Sequence, residues 1–125
     1  METFKLVMPE NLNHRGYLFG GYMLKWVDEI AWMAATLDFP SHTFVTVGMD
    51  KVEFKKSVKQ GTILRFVTQQ VHQGRTSVSY LVDVAIGNQT ASSENSIFST
   101  NVTLVRVDES GRKLPIHDQE RPPNP

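Results

Sequence analysis

Asp28 lies on a stripe with Leu24, Ala31 and Ala35 when residues 22 to 38 are wound as a helix. A carboxylate among apolar and small side chains is costly unless it is paired, or used as a general base or nucleophile. Two readings stay open: a boundary residue paired with a nearby Lys or Arg, or a catalytic group. The alanines would leave room beside it for a ligand or for another backbone.

Ahead of that helix runs Asn13-His14-Arg15-Gly16-Tyr17-Leu18-Phe19-Gly20-Gly21. Glycines let the backbone turn sharply, and a helix N-terminus offers free N–H groups and a positive dipole end. Gly20 and Gly21 could therefore bind an anion, or a carbonyl oxygen that becomes anionic in a transition state. Asn13 could add an amide donor or position a water. His14 could serve as a base, because imidazole titrates near neutrality. A plain connecting loop with turn glycines is the alternative.

A third feature is a bias of charge. From residue 51 to 75 the basic side chains are Lys51, Lys55, Lys56, Lys59, Arg65 and Arg75, against the single acid Glu53. This run is either a solvated strand face or a contact for phosphates of a nucleotide-bearing substrate.

The elements that must hold these groups follow from periodicity. Phe4, Leu6 and Met8 alternate as a first strand, which Pro9 ends. Met23, Val27, Ile30, Ala34 and Leu37 have helical spacing, and Pro40 stops the helix near Asp38. That helix is apolar over most of its circumference, so something must cover nearly all of it. Trp32, on its polar stripe, reads as an oligomer contact. Val45, Val47 and Met49 alternate, then the phase shifts to Val52 and Phe54, which predicts a bulge near Asp50 and Lys51. Strands follow over residues 62–72, 78–86 and 97–107, with a hairpin turn at Gln73-Gly74-Arg75. One helix and five or six strands imply an α+β domain, a long helix wrapped by an antiparallel sheet. One helix covers one face of such a sheet, so a second copy is expected to cover more. The domain is expected to span 1–115, followed by a flexible Pro-rich tail at 116–125.

Composition narrows the function classes. The 125 residues carry 13 Lys and Arg against 13 Asp and Glu, a net charge of zero. That argues against a nucleic-acid binder. No cysteine is present, which removes thiolate nucleophiles, disulfides and zinc–thiolate sites. His14, His42, His72 and His117 include no i, i+4 pair, so no metal site is expected. The N-terminus, with Glu2, lacks a leader's apolar core, and no apolar run approaches the ~18 residues of a membrane span. A cytoplasmic protein without a membrane partner is expected.

The pattern Pro9-x-x-x-Asn13-x-x-Gly16-x-Leu18-Phe19-Gly20-Gly21-x-x-Leu24-x-Trp26-x-Asp28 resembles the signature of hotdog-fold acyl-CoA thioesterases, in particular the short bacterial YciA-like branch related to the brain-type acyl-CoA hydrolases. The likeness continues through Val45-Thr46-Val47, Val52-Glu53-Phe54 and Gly74-Arg75-Thr76-Ser77, and ends at Val107-Asp108-Glu109-Ser110-Gly111-Arg112. It covers roughly residues 3 to 115. Ser57 stands where relatives often have Pro, and Thr62 where they often have Asp.

The resemblance implies a single hotdog domain that hydrolyses fatty acyl-CoA to free acid and coenzyme A. It implies Asp28 as catalytic base or nucleophile and Asn13 as its assistant, supplied by opposite subunits at a dimer interface. Gly20 and Gly21 would then bind the carbonyl oxygen. Lys55, Lys56, Arg75, Thr76 and Ser77 become candidates for the CoA phosphates and pantetheine arm. Coenzyme A would be part of the substrate, with no separate cofactor or metal. The partners implied are acyl-CoA and further copies of the chain, as a dimer or a hexamer built from three dimers. Two rivals share the fold: a non-catalytic acyl-CoA sensor, and a dehydratase or hydratase, which generally pairs an acid with a histidine.

Overall fold

The computed structural model describes residues 1–89 and 94–117. The chain forms β1 (Glu2–Leu6), a 3-10 turn (Pro9–Asn11), α1 (Gly20–Asp38), β2 (Phe44–Phe54), β3 (Ile63–Gln73), β4 (Ser77–Ile86) and β5 (Ser96–Arg106). The five strands make one antiparallel sheet in the order β1-β3-β4-β5-β2. The expected α+β architecture, one long helix on an antiparallel sheet, is therefore what the chain adopts.

The core lies between α1 and the concave face of the sheet. Met23, Trp26, Val27, Ile30, Ala31, Ala34 and Ala35 of the helix meet Leu64, Phe66, Val78, Tyr80, Val82, Val84, Phe98, Val102 and Leu104. Alternation along β4 puts every second residue on this face, which is why Val78, Tyr80, Val82 and Val84 are all buried. Trp26 stands edge-on to Phe66, with ring centroids 6.4 Å apart. The helix ends where Tyr80 donates its hydroxyl to Asp38 at 2.7 Å. At the other edge of the sheet, Glu2 and Arg65 pair at 2.6 Å and tie β1 to β3.

β2 bends as its phase shift predicts. Its register against β5 slips between Asp50 and Glu53, and Lys51 there takes a φ of 51°. A second slip lies between Thr46 and Gly48. The strand pairs on one side only, with β5, and leaves Val45, Val47, Val52 and Phe54 exposed. Trp32, Met33 and Leu37 of α1 are exposed too.

The packed chain runs past residue 115. Ile116 is buried, its N–H donating to the Arg75 carbonyl at 2.8 Å. Of the expected tail at 116–125, residues 118–125 lie outside the described residues. No helix among the described residues is long and apolar enough to cross a membrane.

Candidate active site

The loop between β1 and α1 is a small hairpin. Asn13 donates its N–H to the Tyr17 carbonyl at 2.7 Å, and Phe19 donates to the Asn11 carbonyl at 2.9 Å. Leu18 ties the hairpin to the β2–β3 connection by donating to the Val58 carbonyl at 2.8 Å. At the hairpin tip Gly16 takes a φ of 83°, a conformation that glycine reaches without strain.

This geometry assigns the faces of the Asn13 amide. Its Oδ1 accepts the N–H groups of Arg15, at 2.9 Å, and Tyr17, at 3.1 Å. The carbonyl end is committed to the loop, and the NH₂ end remains to donate. An NH₂ so placed can donate to a carbonyl oxygen or to a water, so both roles read from the sequence stay open. His14 next to it is exposed, and no hydrogen bond to its ring is found among the described residues.

The hairpin delivers the chain to the start of α1. Phe19 caps the helix without a side-chain hydrogen bond, and its carbonyl accepts the N–H groups of Tyr22 and Met23. The N–H groups of Gly20 and Gly21 meet no acceptor among the described residues, so they are free to bind an external oxygen. Gly20 lies close under Phe54: a Cβ there would come within 3.3 Å of the outer end of that ring. Beside Gly20 a cavity of about 170 Å³ is lined by Met23, Phe54, Lys55, Lys56 and Ser57.

Asp28 sits two turns further along α1 and is half-buried. Its Oδ1 accepts a 2.6 Å hydrogen bond from the Thr46 hydroxyl of β2. Thr46 is a residue that side-chain chemistry alone did not single out. Its one signal in the sequence is its place in Val45-Thr46-Val47, with side chain opposite in phase to the valines. The partner of Asp28 is thus a neutral hydroxyl, and no Lys or Arg among the described residues pairs with it. Ala31 and Ala35 on the same stripe are completely buried in the protomer's own core. The room they were expected to leave for a ligand or a second backbone is filled by this chain.

The remaining candidates fall into two places. Lys55 and Lys56 follow β2, where both backbone N–H groups donate to the Ile97 carbonyl. Lys55 Nζ donates to Ser96 Oγ at 3.2 Å, and that hydroxyl donates to Asp83 at 2.6 Å. Arg75, Thr76 and Ser77 form the β3–β4 hairpin at the opposite end of the sheet, where Ser77 pairs with Val105. From Ile97 to Val105 along β5 is roughly 26 Å at about 3.3 Å per residue. One protomer therefore does not bring the lysines and the Arg75 turn together. Nor does it join Asn13 to Asp28 by a hydrogen bond among the described residues.

Among the described residues no cluster of three or more His, Asp or Glu could hold a metal ion.

A family model described as the thioesterase superfamily matches residues 15–92. The chain is 29% identical over 111 residues to an uncharacterized acyl-CoA thioester hydrolase of Bacillus subtilis, covering 88% of this chain and 63% of that protein. It thus spans less than two thirds of that curated relative. Among solved structures it is similar to a hexameric hotdog-fold thioesterase of Campylobacter jejuni. The identity is 34% and the TM-score 0.79, over 92% of this chain and 88% of that one. It is also similar to an acyl-CoA hydrolase of Staphylococcus aureus solved with butyryl coenzyme A, at 27% identity and a TM-score of 0.80, over 93% and 70%. That hydrolase has also been solved with an asparagine, an aspartate and a threonine each replaced by alanine.

Proposed function

We infer the function from the family: this chain belongs to the thioesterase superfamily, and we propose that it hydrolyses the thioester of acyl-CoA. The observation that carries this reading is the Thr46–Asp28 hydrogen bond on a helix whose first N–H groups are free. Its relatives act on this class of substrate by name. The three residue types changed in the Staphylococcus hydrolase match the three that this site presents: Asn13, Asp28 and Thr46.

A thioester needs a nucleophile at its carbonyl carbon and donors for the oxyanion that forms. Thr46 holds Oδ1 of Asp28 and leaves the other oxygen to take a proton from water. The water oxygen bonds to the carbonyl carbon as that proton passes to Asp28. The Gly20 and Gly21 N–H groups and the Asn13 amide take the developing negative oxygen. The tetrahedral intermediate then collapses, the C–S bond breaks, and the thiolate leaves. With a thiol pKa of about 8.5 it leaves without a strong general acid. Lys55 and Lys56, beside the Gly20 cavity, meet the phosphates of the CoA arm; Arg75, Thr76 and Ser77 do so from a second copy.

The second copy has work to do in this reading. The unpaired β2 edge, with Val47 58% and Phe54 56% exposed, and the bare Trp32 face of α1 are surfaces for it. Assembly as a dimer, and as a hexamer of three dimers, brings the Asn13 loop of one subunit to the Asp28 of another. The protein works in the cytoplasm, where its substrate class is made and used, and needs no cofactor beyond its substrate.

Thiol release from a panel of acyl-CoAs, short to long, with wild type and Asp28→Ala side by side, tests the reading. Turnover lost in a folded, still oligomeric Asp28→Ala is the expected result. A wild type that binds acyl-CoA without turnover sinks the hydrolase and leaves a sensor. Single turnover in ¹⁸O-water places the label in the released acid; label in the Asp28 carboxyl would instead mean direct attack and a mixed anhydride.

A further inference from the structure

Asn11 is one of the few buried polar residues, 8% exposed, and nothing in its residue type or spacing gives it a part in the chemistry. It stands where three parts of the site loop meet. Its Oδ1 accepts the Met8 N–H at 2.8 Å and closes the turn that follows β1. Its own N–H donates to the Met8 carbonyl at 2.9 Å. Its carbonyl accepts the N–H of Phe19, the residue that caps α1, at 2.9 Å. Asn11 is thus the root of the hairpin that has Asn13 near its tip and Gly20 and Gly21 at its exit.

We propose that Asn11 is a positioning residue for the thioester hydrolysis proposed above, on which this inference rests: its buried amide holds the Asn13 NH₂ and the Gly20 and Gly21 N–H groups in one fixed relation. Two of the bonds at Asn11 go to Met8 and the third to Phe19, so together they tie the two ends of the loop. The Oδ1 bond sets where the loop leaves β1, and the carbonyl bond sets where α1 begins. Without the Oδ1 acceptor, the Met8 N–H loses its partner and the hairpin root can turn about the remaining backbone bonds. A displacement of about 1 Å in groups aimed at a transition state can cost about 10²-fold in rate. Substrate affinity suffers less, because those donors act on charge that appears only in the transition state.

The requirement at Asn11 is for an oxygen acceptor, and that makes the role testable. Steady-state hydrolysis of butyryl-CoA is compared for wild type, Asn11→Ala, Asn11→Leu and Asn11→Asp, with oligomeric state and melting temperature recorded for each. Asn11→Ala is expected to lower kcat by about 10–10²-fold with KM within about twofold. Asn11→Asp, which keeps an oxygen acceptor for the Met8 N–H, is expected to recover kcat to within about threefold of wild type. Should Asn11→Ala not fold, Asn11→Leu, of similar volume and without an acceptor, against Asn11→Asp carries the same comparison. Wild-type kcat in Asn11→Ala, a loss confined to KM, or an Asn11→Asp no better than Asn11→Ala or Asn11→Leu overturns the proposal. A wild type that releases no thiol from any acyl-CoA is a different result. It overturns the hydrolase reading and this inference with it, whereas equal activity in wild type and Asn11→Ala overturns the inference alone.

Discussion

Thr46 Oγ1 donates to Asp28 Oδ1 at 2.6 Å, from strand β2 to helix α1. The bond fixes which carboxylate oxygen faces the sheet and which stays available. Thr46→Ser keeps the hydroxyl and should keep most of kcat. Thr46→Val keeps shape and removes the donor, and should lower kcat by about 10–10²-fold. Asp28→Asn should lower it further than either. Thiol release under saturating acyl-CoA measures all three, and an active Asp28→Asn would contradict the base assigned here.

Asn13 and Asn11 should respond in opposite ways to aspartate. At Asn13 the loop uses Oδ1, through Arg15 and Tyr17, while the chemistry uses the NH₂. Asn13→Asp preserves the loop contacts and deletes the donor. Its melting temperature should stay near that of wild type while kcat falls by about 10²–10³-fold, the usual cost of one oxyanion donor. A fully active Asn13→Asp would show that Asn13 serves the loop alone.

His42 makes stability depend on pH. Its ring is buried against Phe39, with centroids 5.6 Å apart, and Nε2 accepts the His117 N–H at 3.1 Å. That bond requires an unprotonated Nε2. Burial first, then Coulomb interaction with Arg106 and His117, hold the imidazole below its ordinary value of 6.5. The unfolded chain therefore binds a proton that the native state refuses. Stability is full above about pH 6.5 and falls as pH drops, until the native ring itself protonates. Urea midpoints measured from pH 7.5 down to 5 should decline in wild type and decline less in His42→Gln. Equal slopes would remove His42 as the cause.

Lys55 and Lys56 should matter for binding more than for chemistry. Replacing both with alanine takes two positive charges from the rim of the cavity beside Gly20. KM for acyl-CoA should rise several-fold, with kcat little changed, and the difference from wild type should shrink as salt is added. A change in kcat alone would place these lysines outside the CoA site.

Much of this protein is legible in the order of its residues. The alternation Val78, Tyr80, Val82, Val84 can bury one face only as a strand, and the apolar spacing from Met23 to Ala34 can do so only as a helix. The phase slip before Val52 became a bulge because a period-two pattern cannot change face without an extra residue. Asn13, Gly20, Gly21 and Asp28 stand close enough in the chain for local spacing to group them. Thr46 escaped that grouping, because it reaches Asp28 only after β2 folds back along α1. Tertiary structure alone decided that β2 takes the edge beside β5, and that Lys55 and Arg75 end far apart on one sheet. It decided as well that the buried alanines face their own core and that Asn11 roots the site loop. Local periodicity states which face of an element is buried; which element covers it depends on strand order and register, and these come from contacts between residues distant in the chain.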